Sequence, residues 1–151
     1  MQLEIPTLKH QRKFINSNIK HTALVGGYGS GKSHVGVSKT IIKKLLYNGI
    51  DVAYYLPTYG LIQDVAIPKF FEQLTNLNIQ FHVNKSENRI ITAYGDIILR
   101  NMSDPDRIIG YEVGYSLIDE TDALPKDKMQ EVFSKITILV FDSGTYVTVA
   151  M

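Results

Sequence analysis

Residues 26–33 read GGYGSGKS, and they are the strongest indication of the fold class in this sequence. It matches the pattern G-x-x-x-x-G-K-[ST] without a mismatch. The apolar residues 22–25 before it predict a strand, and residues 34–47 after it predict a helix that ends near Asn48 and Gly49. A glycine-rich loop between a strand and a helix is the context in which this pattern holds phosphate.

Each residue type in this phosphate loop has a physical reason to be there. Glycines let the backbone turn tightly and approach an anion closely, so that successive N–H groups and the helix N-terminus point at it. Lys32 is expected to reach the β- and γ-phosphates, and the Ser33 hydroxyl is expected to ligate Mg²⁺. The loop therefore predicts binding of ATP with Mg²⁺ through Gly26, Gly27, Tyr28, Gly29, Ser30, Gly31, Lys32 and Ser33.

A second candidate site follows the apolar residues 115–118, where Asp119 and Glu120 stand side by side. An acidic pair after a strand is commonly a solvated turn. Beside a phosphate loop, we expect Asp119 to hold the Mg²⁺ shell and Glu120 to polarise the attacking water. Asp122 is expected to cap the following helix and is left out of the site. The two motifs together predict an ATPase.

The rest of the chain alternates between helical and strand patterns. Helices are expected over residues 7–18, 61–74 and 124–135, and the second of them is expected to break or bend near Pro68. Strands are expected over residues 51–56, 79–83, 89–94, 96–100, 115–118 and 145–150. This order predicts an α/β fold of the P-loop NTPase (RecA/ASCE-like) type. Its mainly parallel sheet is flanked by helices and carries a small antiparallel insert. Ligands of such sheets bind at the carboxyl ends of the strands.

Composition narrows the function classes. The 151 residues suit one domain, and 44% hydrophobic with 21% charged residues is typical of a soluble globular protein. The sequence has no cysteine, which excludes disulfides and thiolate metal sites. Its net charge of +1 gives no electrostatic footprint for nucleic acid. No signal peptide or membrane span is recognisable, so we expect a cytoplasmic protein without a membrane partner.

The order of features resembles the ATPase domain of the large terminase subunit, the motor that packages DNA into the procapsids of tailed bacteriophages. The likeness includes Gln11 ahead of the phosphate loop, YYLPTYGLIQDVAIPKF at residues 54–70, and NMSDPDRIIGYEVGYSLIDETDAL at residues 101–124. It implies ATP hydrolysis coupled to the packaging of double-stranded DNA in the bacterial host cytoplasm. The implied partners are the terminase small subunit, the portal or procapsid, and further copies of the chain in a ring.

The resemblance also implies roles for three side chains. Gln11 would contact adenine through its amide. Arg107 would stabilise charge on the transferring phosphoryl group, often in the site of a neighbouring subunit, and is counted with the catalytic residues. The family's arginine more often directly precedes the glycine, a position that Ile109 holds here, and Arg100 is the alternative. Many relatives also carry a basic residue inside the phosphate loop ahead of its lysine, and this loop has none.

The family normally continues into a coupling motif and a nuclease domain. We therefore expect residues 1–151 to be an ATPase domain truncated at its C-terminus and without nuclease activity. The β-prone segments TILVF (137–141) and TYVTVAM (145–151) are expected to leave an exposed apolar sheet edge. Two alternatives stay open: another P-loop enzyme, such as a helicase-like ATPase or a small phosphotransferase, and a nucleotide-binding assembly module without turnover.

Overall fold

Helices and strands alternate along the chain in the computed structural model, which describes residues 4–108, 112–138 and 146–150. The helices are α1 (Lys9–Asn16), α2 (Lys32–Leu46), α3 (Tyr59–Leu61), the π-helical segment Ile62–Ala66, α4 (Ile67–Asn76) and α5 (Lys126–Ile138). Short 3₁₀ turns cover Pro105–Ile108 and Thr121–Ala123. The strands are β1 (His21–Leu24), β2 (Val52–Leu56), β3 (Phe81–Asn84), β4 (Arg89–Thr92), β5 (Gly95–Asn101), β6 (Tyr115–Ile118) and β7 (Tyr146–Ala150).

The described strands form one seven-stranded sheet in the order β1-β7-β6-β2-β5-β4-β3. Neighbours from β1 to β5 pair in parallel, and the β5–β4 and β4–β3 pairs are antiparallel. The predicted α/β fold with a mainly parallel sheet is confirmed. The antiparallel insert is not a separate unit, because β5 also pairs in parallel with the central strand β2 and so extends the main sheet.

Helices cover both faces of the sheet, and the central strand shows this directly. All five residues of β2 are buried, as expected for a parallel strand that is covered on both sides. Alternate side chains point to opposite faces. Tyr54 packs with α2 and α4, where its ring meets Phe70 edge to face with centroids 5.3 Å apart. Tyr55 packs on the other face, in the core that includes Val132 of α5.

The helical path from α3 to α4 changes its hydrogen bonding at the π-helical segment, which ends two residues before Pro68. Pro68 has no N–H to donate to the carbonyl four residues earlier. The chain accommodates this by widening the helix, and the N–H of Ile67 bonds to the carbonyl of Ile62. The expected break or bend is therefore a change of register within a continuing helical path. π-Helical turns of this kind frequently occur at functional sites.

The expectation that the last strand would form an exposed sheet edge is wrong. β7 lies between β1 and β6 and pairs in parallel with both, and the outer strands of the described sheet are β1 and β3. The other β-prone segment begins in the last residues of α5, and its residues 139–141 lie outside the described ranges.

Candidate nucleotide-binding site

The phosphate loop links β1 to α2 at the carboxyl edge of the sheet. Gly29 (φ 73°) and Gly31 (φ 79°) adopt the left-handed backbone conformation that glycine allows at little cost. Gly31 is also the N-cap of α2, and its carbonyl accepts the first helical hydrogen bond from Val35 at 3.0 Å. The predicted strand–loop–helix arrangement is therefore present.

Two further contacts show that the loop is a tight cradle. A Cβ atom on Gly26 would lie 2.7 Å from the Ser30 hydroxyl, and one on Gly31 would lie 2.9 Å from Gln11 Nε2. The buried Ser30 Oγ has no hydrogen-bond partner among the described residues. A close-fitting loop with an unsatisfied hydroxyl suits an oxygen-rich anion such as a nucleotide phosphate.

Lys32 and Ser33 open α2 and face the same cavity. The Lys32 ammonium donates to the carbonyl of Gly27 across the loop, at 2.9 Å. The cavity has a volume of about 710 Å³. Its lining consists of the whole phosphate loop, Val65, Lys69, Glu120 and Asp122. The structure thus brings the predicted loop and the predicted glutamate together.

Asp119 is not among the residues that line this cavity. It is buried, and its Oδ2 accepts a hydrogen bond of 2.6 Å from the Tyr54 hydroxyl. Its Oδ1 accepts from the backbone N–H of Glu120 at 2.9 Å. Burial, followed by the charge of Asp119, raises the pKa of Tyr54 well above its usual value, so the hydroxyl keeps its proton. Each carboxylate oxygen has a second lone pair for another ligand.

Glu120 directs its side chain differently because its backbone is left-handed, with φ 56° and ψ 44°. This conformation costs a residue with a Cβ about 1–2 kcal/mol. The Glu120 carboxylate lines the cavity and has no hydrogen bond or ion pair within the described residues. Backbone strain of this kind clusters at functional sites, where the surrounding structure maintains it.

Asp122 is placed differently from the prediction. It lies in the 3₁₀ turn Thr121–Ala123, and α5 begins at Lys126, so Asp122 does not occupy the helix N-cap. It lines the phosphate-loop cavity instead. The prediction of a helix cap failed because a short 3₁₀ turn lies between β6 and α5, so that the helix begins later than expected. Asp122 belongs to the candidate site.

Gln11 is buried under the phosphate loop. Its Oε1 accepts from the N–H of Leu8 at 2.9 Å, and its Nε2 donates to the carbonyl of Ser30 at 3.3 Å. It therefore joins α1 to the loop. Each end of the amide retains one further hydrogen-bonding position, which leaves the proposed adenine contact open.

Arg107 and Arg100 lie away from the phosphate loop. The Arg107 side chain is 87% exposed and pairs with Asp104 at 3.1 Å. Arg100 Nη1 donates to the carbonyl of Glu87 at 2.8 Å, and both arginines line a separate cavity. Neither arginine lines the phosphate-loop cavity of its own chain. The exposure of Arg107 suits contact with another molecule.

Magnesium would need few protein ligands here. Within residues 4–108, 112–138 and 146–150, no three His, Asp or Glu side chains gather as a metal site. Mg²⁺ prefers oxygen ligands and keeps several waters when it also binds substrate phosphates. The hydroxyl of Ser33 and the carboxylate of Asp119 supply ligands of that type.

The same described part of the chain contains no helix long and apolar enough to cross a membrane.

Besides Asp122, three residues around the site were not predicted. Tyr54 supports Asp119, and Val65 and Lys69 complete the cavity wall. The only sequence signal for the latter two was their i, i+4 spacing, which places side chains on one helix face. Nothing in the sequence indicated which element that face would meet.

The sequence and the structure were compared with those of known proteins. No protein-family profile and no curated protein matches the sequence. Among solved structures, the chain is similar to the large terminase of a thermophilic bacteriophage in complex with ADP, with a TM-score of 0.76 and 17% identity over 96% of this chain. The chain has the fold of a large terminase ATPase domain.

Two further structures agree. The large terminase ATPase domain of Thermus phage P74-26 gives a TM-score of 0.72 at 14% identity, over 95% of this chain and 64% of that domain. The N-terminal domain of the DNA packaging ATPase from bacteriophage phi29 gives 0.66 at 12% identity, over 92% and 76%. This chain spans 38% of the length of the ADP-bound large terminase.

Proposed function

We propose that this domain binds ATP with Mg²⁺ and hydrolyses it. The observation that carries the proposal is the shared cavity, which is lined by both the phosphate loop and Glu120, whose carboxylate has no partner within the described residues. A phosphate-binding loop and a general base in one cavity form the arrangement that phosphoryl transfer to water requires. The similar large terminase with ADP bound supports the choice of nucleotide.

Each residue has a separate part in this reaction. The loop N–H groups and Lys32 hold the β- and γ-phosphates, and Ser33 and Asp119 hold Mg²⁺, which neutralises phosphate charge when bound. Tyr54 fixes the orientation of Asp119. Glu120 orients the attacking water and accepts its proton. The backbone at Glu120 is left-handed, and Glu120 lines the cavity whereas Asp119 does not.

We infer that hydrolysis drives the packaging of double-stranded DNA, as the fold similarity to large terminases suggests. The partners would be a terminase small subunit, the portal or procapsid, and further copies of the chain in a ring. Arg107 would act in the site of a neighbouring copy, for which its 87% exposure is suitable. Gln11 would contact adenine with the positions of its amide that α1 and the loop leave open.

The first experiment measures Mg·ATP binding and phosphate release by the wild type, Lys32→Ala and Glu120→Gln. Lys32→Ala is expected to lose ATP binding. Glu120→Gln is expected to bind ATP but release phosphate about 10²–10⁴-fold more slowly, because it lacks the base. Asp122→Asn removes the other carboxylate of the same cavity and so distinguishes the two candidate bases, and Lys85→Met, at an exposed lysine in a turn, is the control that should retain turnover.

Other outcomes would change the assignment. Binding without hydrolysis by the wild type would favour the nucleotide-binding module without turnover. Phosphate transfer to an acceptor other than water would favour a phosphotransferase. A folded wild type that binds no nucleotide would contradict the proposal. Loss of turnover in Asp122→Asn but not in Glu120→Gln would move the catalytic base to Asp122.

A further inference from the structure

Lys69 is a positively charged residue in the phosphate-loop cavity that the sequence motifs do not include. It belongs to α4, on the cavity wall that also contains Val65. Its side chain is partly buried, and its ammonium has no hydrogen bond or ion pair within the described residues. An unpaired ammonium in a partly enclosed cavity has a strong tendency to bind an anion, because its charge has lost some solvation by water.

A buried network holds this part of α4 in place. Gln73 lies one helical turn after Lys69, and its Nε2 donates to the carbonyl of His34 at 2.9 Å. Its Oε1 accepts from Ser38 Oγ at 2.8 Å, and the Gln73 side chain is only 6% exposed. His34 directly follows Ser33 of the phosphate loop. Gln73 therefore anchors α4 to the first turns of α2 and keeps Lys69 facing the cavity.

The carboxylates in the cavity oppose the binding of a triphosphate, which a second cation would counteract. The phosphate loop contains one basic residue, Lys32, whose ammonium already donates to the carbonyl of Gly27. The same cavity is lined by Glu120 and Asp122, whose carboxylates repel a triphosphate. Lys69 lines the same cavity and belongs to α4, which lies outside the loop in sequence. Its positive charge offsets this repulsion.

We propose that Lys69 is a second phosphate-binding cation, which contacts the terminal phosphate of ATP. It shares the cavity with Glu120, and hydrolysis requires the Glu120 carboxylate to lie beside that phosphate. This inference rests on the proposed function. It adds that α4, through Lys69, distinguishes nucleotides with a terminal γ-phosphate from those without one.

The test compares the affinities of Mg·ATP and Mg·ADP for the wild type, Lys69→Met, Lys69→Arg and the control Lys85→Met, which removes an exposed lysine from a turn. Lys69→Met is expected to weaken ATP binding by about tenfold or more, the size of a lost charge-assisted contact, and to leave ADP binding unchanged. Lys69→Arg should restore most of the preference for ATP, because it keeps the charge. Thermal unfolding without nucleotide establishes that each variant is folded.

The outcomes separate the two proposals. Wild-type ATP affinity and phosphate release in Lys69→Met would overturn the inference about Lys69 and leave the proposed function intact. Equal weakening of ATP and ADP would also overturn it, since Lys69 would not act on the terminal phosphate. If the folded wild type binds neither nucleotide, the proposed function itself fails and the inference falls with it.

Discussion

Asp119 and Glu120 are adjacent in sequence, yet the fold gives them different surroundings. Asp119 continues the line of buried β6 residues and bonds to Tyr54, a residue of the neighbouring strand β2. Glu120 turns into the left-handed conformation and exposes its carboxylate to the cavity. The difference follows from one change of backbone direction at the end of a parallel strand, where ligand sites in such sheets occur.

The hydrogen bond between Tyr54 and Asp119 predicts how a single substitution changes the stability of the domain. Tyr54→Phe removes a hydroxyl that donates to a buried carboxylate at 2.6 Å and adds no bulk. The free energy of unfolding is expected to fall by about 1–3 kcal/mol, the cost of losing a hydrogen bond to a buried charged group. Urea denaturation without nucleotide measures it. Tyr59→Phe, at a half-exposed tyrosine, is the control and should have little effect. Equal stability of the two variants would contradict this role.

At the scale of elements, α1 is fixed to the rest of the domain by a buried lysine of α2. Lys39 donates to the carbonyl of Phe14 at 2.8 Å, and its ammonium lies 4.4 Å from the centroid of the Phe14 ring. Lys39 is only 1% exposed. A cation at the C-terminal end of a helix satisfies free carbonyls and complements the helix dipole. Because α1 also carries Gln11, this contact helps to place the residue under the phosphate loop.

The buried lysine makes stability depend on pH. Burial, with a smaller contribution from Lys43, lowers the pKa of Lys39 from 10.5 to about 8. Between those values the unfolded chain binds more protons than the folded one, so the free energy of unfolding rises with pH. Relative to Lys39→Met, the wild type should gain up to about 1.4 kcal/mol per pH unit in that window and nothing below it.

Denaturant unfolding of the wild type and Lys39→Met at several pH values between 7 and 10 measures this difference. Lys126→Met is the matched control, because it removes an exposed lysine at the start of α5. The control should follow the wild type across the window. A wild-type curve that runs parallel to that of Lys39→Met would show that Lys39 titrates alike in both states.

At the scale of the whole molecule, β7 lies between β1, which leads into the phosphate loop, and β6, which ends at Ile118 directly before Asp119. Thr148 pairs with Thr22 of β1 and with Leu117 of β6. The two halves of the candidate site are therefore joined through a strand that comes last in sequence. Correct spacing of the loop and the acidic pair depends on residues that lie far from both motifs in the chain.

Thr148→Pro tests this position of β7. A proline in an interior strand removes a ladder hydrogen bond and leaves the partner carbonyl unsatisfied, so we expect a loss of about 1–3 kcal/mol or more in the free energy of unfolding. A domain of ordinary stability, about 5–15 kcal/mol, would lose a large part of its margin. Circular dichroism during urea titration measures the free energy of unfolding. Thr148→Ala is the control, because alanine keeps the backbone N–H that proline lacks. Wild-type stability of Thr148→Pro would place β7 outside the sheet interior.

Local patterns were sufficient for the features that depend on neighbouring residues. The phosphate loop was predictable because glycine, lysine and serine at fixed spacing serve one compact backbone structure, and its left-handed positions are glycines. The short apolar run of β6 ending in two acids predicted the second motif. Alternation of helical and strand patterns predicted the parallel sheet. These signals lie within about ten residues of sequence, and the fold did not override them.

The tertiary structure alone decided which distant side chains meet. Tyr54 reaches Asp119 because β2 and β6 are neighbours, and Lys69 reaches the cavity because Gln73 binds the start of α2. Likewise, β7 is an interior strand only because the sheet order inserts it beside β1. Sequence patterns record which face of an element is apolar or charged, whereas strand order and helix docking depend on the packing of the whole chain. The motif residues were therefore determined by the sequence itself, and their supporting residues by the fold.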